Sequence, residues 1–510
     1  MCIKRNLGRL AALVVPVTLL PIIATADFLT PQPPAITLDP GVPAGSSVLA
    51  IISSGEDADI VGFTFQGIPD GIGLAPASDG SSVDVFVNHE ETTVPFFGSA
   101  DFQDASVSRI TLNTSVGPFN GAVTAASVAL PPEAGFIRFC SASMAGPAEG
   151  FSLYTFLTGE EANDIVDVPD GSTYGADPAI APQRQGGYAV ILDVASGAFT
   201  PVPGLGRMNH ESTIAVPGGW QQFALLTTDD TFNAPSAQLY LYLANHESHI
   251  WTDQGSLWAF QVTRTDDGPV DQTDPFNGAN DYLDIQPGDD FQGKFIRVPK
   301  QIAVGQTGDA PQDALEQWSN DNNIFQFIRL EDLAYDKNNP RVVYIADTGR
   351  SRIIPDPATG RLQRGPGGTV GFADNGRIFK MVFNANNPRK VDSFTVLADG
   401  DAPGAPEFVA MTNPDNMDTS GNSLMVQEDT RDAKIWRQDL ATGTWSVVAT
   451  VNDPRGESSG IVDASDWFGP GSWILDVQAH GSNFMEEVDS AGVLRKLEDG
   501  QLLLMKLPGS

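Results

Sequence analysis

Carboxylates and imidazoles in this chain gather at the ends of short apolar segments. The sequence holds five histidines, and three of them stand in one repeated tripeptide: Asn88-His89-Glu90, Asn209-His210-Glu211 and Asn245-His246-Glu247. Each copy follows or ends a strand-like run, where a turn bearing an acid and an imidazole can present ligands. The same tripeptide also makes a plain structural turn, with Asn in the left-handed conformation and His bonded to backbone. Acidic doublets recur at strand ends as well: Glu160-Glu161, Asp229-Asp230, Glu331-Asp332 and Glu428-Asp429. One doublet alone reads as a solvated turn. Several brought together repel one another unless a cation lies between them. Such a cluster suits calcium, a hard ion that takes several oxygen ligands, and suits iron where a thiolate or imidazole joins. Two further segments add to the inventory: Asn413-Pro414-Asp415-Asn416-Met417, and Glu457-Ser458-Ser459-Gly460 with Asp476-Val477-Gln478-Ala479-His480 after it.

The elements that must position these groups read as strands. Runs at 187–192, 223–226, 239–243, 342–346, 377–382 and 473–477 are short, rich in β-branched or aromatic residues, and bounded by Gly, Pro, Asn or Asp. The stretch 312–318 is the one short helix candidate. Many short strands over a long chain mean a sandwich, a solenoid or a propeller. Weak similarity between "VVYIADTG…GRIFKMVF" and "LYLANHES…GSLWAFQV" favours an all-β fold built as one large propeller. Its domain is expected over 27–510, with insertions near 265–322 and 350–370.

Lys4, Arg5 and Arg9 precede an apolar run over 10–23, broken by Pro16 and Pro21, and Ala24-Thr25-Ala26 fits a signal-peptidase site. Residues 1–26 are expected to be a secretory signal peptide, which implies a secreted or periplasmic protein. The run is too short and proline-broken to span a membrane well. The formal charge is −35. A surface of that sign repels nucleic acid, anionic membranes and phosphate esters, unless bound cations reverse the field locally. Cys2 leaves with the leader, so Cys140 is the single remaining thiol. It is either buried and inert or a metal ligand, and no internal disulfide is possible. No Walker loop or dinucleotide fingerprint is present, which argues against a nucleotide cofactor.

In order along 84–485, these segments resemble the PhoX-type alkaline phosphatase family. "VFVNHEE" is similar to its early Asn-His-Glu strand. "FLTGEE" is similar to its Leu-Thr-Cys-Glu-Glu motif, with Gly159 where the cysteine often stands. "GRMNHE", "LLTTDD" and "LYLYL" follow as in the family, as do "FIRLEDLAYD", "NPDNMD" and "GESSGIV…VQAHG". The resemblance implies a six-bladed propeller with a calcium and iron cluster in its channel, hydrolysing phosphate monoesters. By motif match it implies Cys140, Glu161, Glu211, Glu331, Asp415, Asn416 and Glu457 as metal ligands, with Glu331 also catalytic. It implies Arg329 as a phosphate clamp, a role suited to a planar guanidinium. The chain departs from the family at the Pro-Trp-Gly element after the bridging cysteine, which is missing, and at Ala479-His480. Those departures keep two other readings open. One is a calcium-stabilised propeller without catalysis, acting as a surface module. The other is a different propeller hydrolase, phytase-like or lactonase-like.

Overall fold

The computed structural model describes residues 27–510, except 92–104, 118–119, 163–164, 168–182, 232–236, 306–310, 453–455, 480–484, 489–493 and 498. The expected signal peptide and His480 lie outside the described residues.

Six antiparallel sheets stand around an axis as the blades of a propeller. Blade I runs outward through Pro69–Pro76, Ser82–His89, Ser106–Asn113 and Val123–Leu130. Blade II is Ser143–Ala145, Thr155–Gly159, Ala189–Asp193 and Phe199–Pro201. Blade III is His210–Ala215, Phe223–Asp229, Leu239–Ala244 and Ser256–Thr265. Blade IV is Leu330–Tyr335, Val342–Asp347, Arg377–Asn384 and Asn387–Asp399. Blade V is Pro414–Thr419, Ser423–Glu428, Lys434–Asp439 and Trp445–Val451, with Ile36–Leu38 added at its outer edge. Blade VI is Gly456–Asp463, Ser472–Ala479, Asp499–Lys506 and, outermost, Ser47–Ser53. The inner strands touch in the cyclic order I to VI and back to I. The ring is fastened by the N-terminal strands, which pair with blades V and VI.

Each blade buries both faces against its neighbours, so its strands are apolar on both sides rather than alternating. Leu239–Ala244 is buried at every position. The hydrophobic core is accordingly six interfaces. Phe86 of blade I meets Phe156 of blade II, and the other interfaces cluster Ile191 with Tyr240, Leu241 with Phe379, Tyr344 with Trp436, Met425 with Trp473, and Ile474 with Ile110. Between blades III and IV the strand Phe291–Arg297 pairs with the outer strands of both, fusing them into one sheet. The helix expected at 312–318 forms over Pro311–Asp321.

A candidate metal centre at the channel mouth

Every inner strand carries an irregularity at the same place. In blade I, Pro69 pairs with His89 but Ile72 pairs with Val87, so one extra residue is inserted. The same offset separates His210 from Thr213, Leu330 from Leu333 and Pro414 from Met417. In blade II it lies between Phe139, bridged to Glu160, and Ser143, paired with Leu157. In blade VI it lies between Ser459 and Ile461. A bulge turns its extra residue out of the sheet's alternation. The residue after the last regular pair is Asp70, Cys140, Glu211, Glu331 and Asp415 in blades I to V; in blade VI Ser459, the last paired residue before the offset, stands in the corresponding place. The facing residue, just past the matching point of each second strand, is Glu90, Glu161, Asp230, Thr348 and Asp429 in blades I to V; in blade VI Gln478, whose amide donates to Ser459 Oγ, takes that part. The repeating geometry thus supplies two side chains per blade to one end of the channel.

On the second strands, the acid just before the facing residue has a different task. Glu160 accepts the backbone N–H of Ile137 and of Tyr188 and pairs with buried Arg184. Asp347 accepts the N–H groups of Ile328, Arg329 and Gly349. Glu428 accepts those of Thr412 and Lys434 and the indole of Trp436. These carboxylates hold the chain that leads into each inner strand, and the next residue faces the axis.

Seven of the axial groups form three overlapping sets. Asp70, Glu90 and Cys140 make one, Cys140, Glu161 and Glu211 the second, and Glu211, Glu331 and Asp415 the third; within each set the ligand atoms lie within 4.8 Å of one another. Cys140 and Glu211 are shared, so the three sets are continuous. Glu211 Oε1 accepts the Ser141 hydroxyl at 2.6 Å. Its Oε2, and Oδ1 of Asp415, are buried oxygens with no hydrogen-bond donor among the described residues. Burial, then the neighbouring carboxylates, push Glu161, Glu211 and Asp415 well above the usual carboxylate range. Burial likewise raises Glu331, as does Asp230, against the opposing pull of Arg329. Burial followed by Asp70, Glu211, Glu90 and Glu161 raises the Cys140 thiol. Orphaned oxygens and mutual repulsion in one pocket are what a set of cation ligands looks like without its counter-charge. The residues therefore fit hard cations, and the thiol adds a soft donor at one end.

Around this core, Asp70 is pushed up to about 6 by burial, against the pull of its hydrogen bonds. Its Oδ2 receives Gln478 Nε2 at 2.9 Å and the Cys140 thiol at 3.3 Å. Asn416 does not point an open carbonyl at the cluster. Its amide donates to Ser141 Oγ at 2.8 Å, and its oxygen accepts Ser459 Oγ at 3.1 Å. Glu457 lies beside Asp415 as one of its charged neighbours, but in its strand it pairs with Gln478, ahead of the offset that follows Ser459. Arg329 gives Nε to Asp230 Oδ1 at 2.9 Å, its Nη2 also meets Asp230, and that nitrogen lies 3.2 Å from Glu331 Oε1. Burial pulls its pKa down, but Asp230 and Glu331 outweigh it and hold the guanidinium firmly charged.

The three Asn-His-Glu copies part company here. His89 bonds Gly67 O and Ser108 Oγ, and His210 bonds Gly206 O and Thr227 Oγ1. Burial drives both imidazoles down to about 4, so they are neutral struts behind Glu90 and Glu211 rather than ligands. Glu247 starts a short surface helix and accepts the Ser152 hydroxyl and N–H. Gly159 has no room for a cysteine, because a Cβ there would stand 2.4 Å from His210 Cβ. Cys140 is the thiol that lies in the ligand sets. Asp70 and Ser459 escape a sequence reading: Pro69-Asp70-Gly71 looks like a turn, and only the bulge register exposes its equivalence with Glu211.

Gly71 makes the close approach of blades I and II possible. A Cβ there would lie 2.1 Å from the Ala142 nitrogen. Gly71→Ala is expected to cost about 2 kcal/mol or more through overpacking and to displace the 140–142 segment. Chemical denaturation, with thiol accessibility of Cys140 as the local readout, checks this; an unchanged midpoint and unchanged accessibility would contradict it.

At the other end of the channel a cavity of ≈ 600 Å³ opens, lined by Glu149, Tyr335, Lys337, Asp418 and Asp463 among others. Lys337 spans it, 3.1 Å from Asp463 and 3.5 Å from Asp418. No helix among the described residues is long and apolar enough to cross a membrane.

Comparison with known proteins gives a family. A family model described as alkaline phosphatase PhoX matches residues 147–463, more than half the chain. Asp70, Glu90 and Cys140 lie before that span, and their membership of the site rests on the geometry above. Among solved structures, Pseudomonas fluorescens PhoX in complex with vanadate, a transition-state analogue, is similar with a TM-score of 0.60 at 14% identity, covering 95% of this chain and 97% of that one. The Penicillium chrysogenum α-L-arabinanase complexed with arabinobiose reaches only 0.39 at 10% identity, covering 91% and 99%. Curated protein sequences give no match. The chain belongs to the alkaline phosphatase PhoX family.

Proposed function

We propose that this chain is an exported metal-dependent phosphatase that hydrolyses phosphate monoesters at the mouth of the propeller channel. One observation carries the reading: the three ligand sets joined through Cys140 and Glu211, with buried oxygens that lack donors. The all-oxygen set Glu211–Glu331–Asp415 suits calcium. The two sets that contain Cys140 suit a metal that tolerates thiolate, and iron is the reading the family supports. Glu90 and Asp70 join the ligands proposed from sequence; Asn416 and Glu457 become positioning residues.

Cations held there supply Lewis acidity and counter-charge for phosphoryl oxygens. The protein's own part is to hold the carboxylates in place before substrate arrives. Ser141 fixes one oxygen of Glu211. Asp230 anchors Arg329 so that its cation stays beside Glu331, where it can offset charge that grows on a transferring phosphoryl group. Expulsion of water between packed blades strengthens each of these interactions. Export follows from residues 1–26, whose pattern suits loading with calcium outside the cytoplasm.

Blade VI supplies Ser459 and Gln478 instead of acids, which also suits a calcium-binding propeller without turnover. The test separates the two. Calcium and iron per purified chain are measured together with phosphate release from an aryl phosphate. The expected result is both metals and turnover, with turnover abolished in Glu331→Gln and Asp415→Asn while circular dichroism stays native. Calcium alone without phosphate release, or full turnover in both variants, contradicts the proposal.

A further inference from the structure

Where blades I to V place their bulge residues, blade VI has Ser459 facing Gln478, yet it buries a carboxylate just behind them. Asp476 stands on the second strand, paired with Ser459 on one side and Leu502 on the other. It is fully buried. Neither of its carboxylate oxygens has a hydrogen-bond donor among the described residues. Burial, then the like charge of Asp70, raise its carboxyl well above the usual range. A buried carboxylate with no donor and no counter-charge is costly, and a cation is one remedy for it.

The strand register says where Asp476 points. Side chains two residues apart on a strand share a face. Two residues on, Gln478 gives its Nε2 to Asp70 Oδ2 at 2.9 Å and to Ser459 Oγ at 3.3 Å. The other end of that amide, Oε1, is again a buried oxygen with no donor among the described residues. Two residues back, Ile474 packs in one cluster with Ile72 of blade I. Asp476 therefore faces the seam between blades VI and I, with Asp70 on its mouth side and apolar packing on the other. The seam is close: a Cβ on Gly500, which pairs with Gln478, would stand 2.5 Å from Pro69 Cδ. Asp476, Gln478 Oε1, Ser459 and Asp70 thus bring oxygen donors to one place from both blades.

We propose that Asp476 and Gln478 of blade VI, with Asp70 of blade I, hold a further calcium ion in this seam, beyond the three ligand sets at the mouth. The proposal does not depend on phosphate turnover. Carboxylate and amide oxygens without a thiol or imidazole suit a hard cation, and calcium accepts such mixed, irregular ligand sets with water completing the shell. A divalent ion offsets Asp476 and Asp70 together, whereas a proton on Asp476 relieves only its own charge. Asp70 also belongs to the set with Glu90 and Cys140, so the seam ion continues the row of cations into blade VI. It binds the ring at its closure, where Ser47–Ser53 completes blade VI before the chain enters blade I.

Calcium and iron per chain are counted in the purified parent and in Asp476→Asn, whose amide keeps the size of the carboxyl and imitates its protonated form. The expected result is about one calcium fewer per chain in the variant, with native circular dichroism and a smaller drop in unfolding midpoint on chelation. An equal calcium count in the two proteins means that Asp476 is a buried, protonated acid, and overturns the seam site. Should the variant fail to fold, the parent decides: the mouth sets account for three ions, so about four per chain supports the seam site and three or fewer overturns it. Phosphate release from an aryl phosphate, measured on the same samples, separates this outcome from the phosphatase reading. A calcium difference without turnover in the parent leaves the seam site standing and sinks the phosphatase; turnover with equal counts does the reverse.

Discussion

Removing bound cations at about pH 8 is expected to lower the unfolding midpoint by about 10 °C or more, since each occupied site contributes roughly 3–4 kcal/mol at saturating metal. The cause is the channel mouth. Six carboxylates, together with the Cys140 thiol, sit in contiguous sets, with Arg329 the guanidinium that meets Asp230 and Glu331. Without cations they must be protonated or repel. The sign follows from the pKa directions. Asp70 is raised to about 6 and Asp332 and Asp347 to about 7 by burial, and Glu161, Glu211, Glu331 and Asp415 are raised further. A group raised on folding contributes stability that is present below its unfolded value, near 4, and lost as pH rises through the folded one. Metal-free protein therefore weakens from mildly acidic to alkaline pH. His89 and His210, depressed to about 4, act the other way and weaken the fold as pH falls from about 6.5 toward 4. Cation binding needs the carboxylates ionised, so its stabilisation grows as pH rises. The chelator-induced drop in midpoint should be larger at about pH 8 than at about pH 6. Calorimetry at both values measures it; equal drops, or none, would count against a cation-held mouth.

The second large effect concerns one glutamate in a repeated tripeptide. Glu211 belongs to two of the three ligand sets, whereas Glu247 lies on a surface helix. Glu211→Gln keeps the side chain's shape and the Ser141 contact but removes the charge that joins the sets. Turnover of an aryl phosphate is expected to fall by about a thousandfold or more, with metal content reduced. Glu247→Gln, in the identical sequence context, should stay within about twofold of the parent. Similar losses in both variants would mean that the tripeptide, and not its place in the ring, carries the effect.

The contrast shows what sequence can and cannot disclose. Strand runs such as Leu239–Ala244 announce themselves because blades bury both faces, and ordered motifs were enough to bring Cys140, Glu161, Glu211, Glu331 and Asp415 into one candidate site. The function of the acidic doublets was visible only in outline. Glu160 and Glu428 serve backbone N–H groups, while Glu161 lies in a ligand set; which acid does which depends on the bulge register, a property of two strands at once. Asp70 was missed for the same reason. The tripeptide brings two of its three glutamates, Glu90 and Glu211, into the ligand sets, although His89 ends a second strand and His210 begins an inner one, so the copies are not equivalent blade positions. Nor could local pattern show that Ser47–Ser53 closes blade VI against Asp499–Lys506, a pairing across most of the chain.

The most direct measurement is phosphate release from an aryl phosphate by the purified chain, before and after chelation and again after calcium is returned. Release that disappears on chelation and recovers with calcium is the predicted result. Release that is absent from the metal-replete protein, or indifferent to chelation, would contradict a metal-dependent phosphatase at this channel mouth.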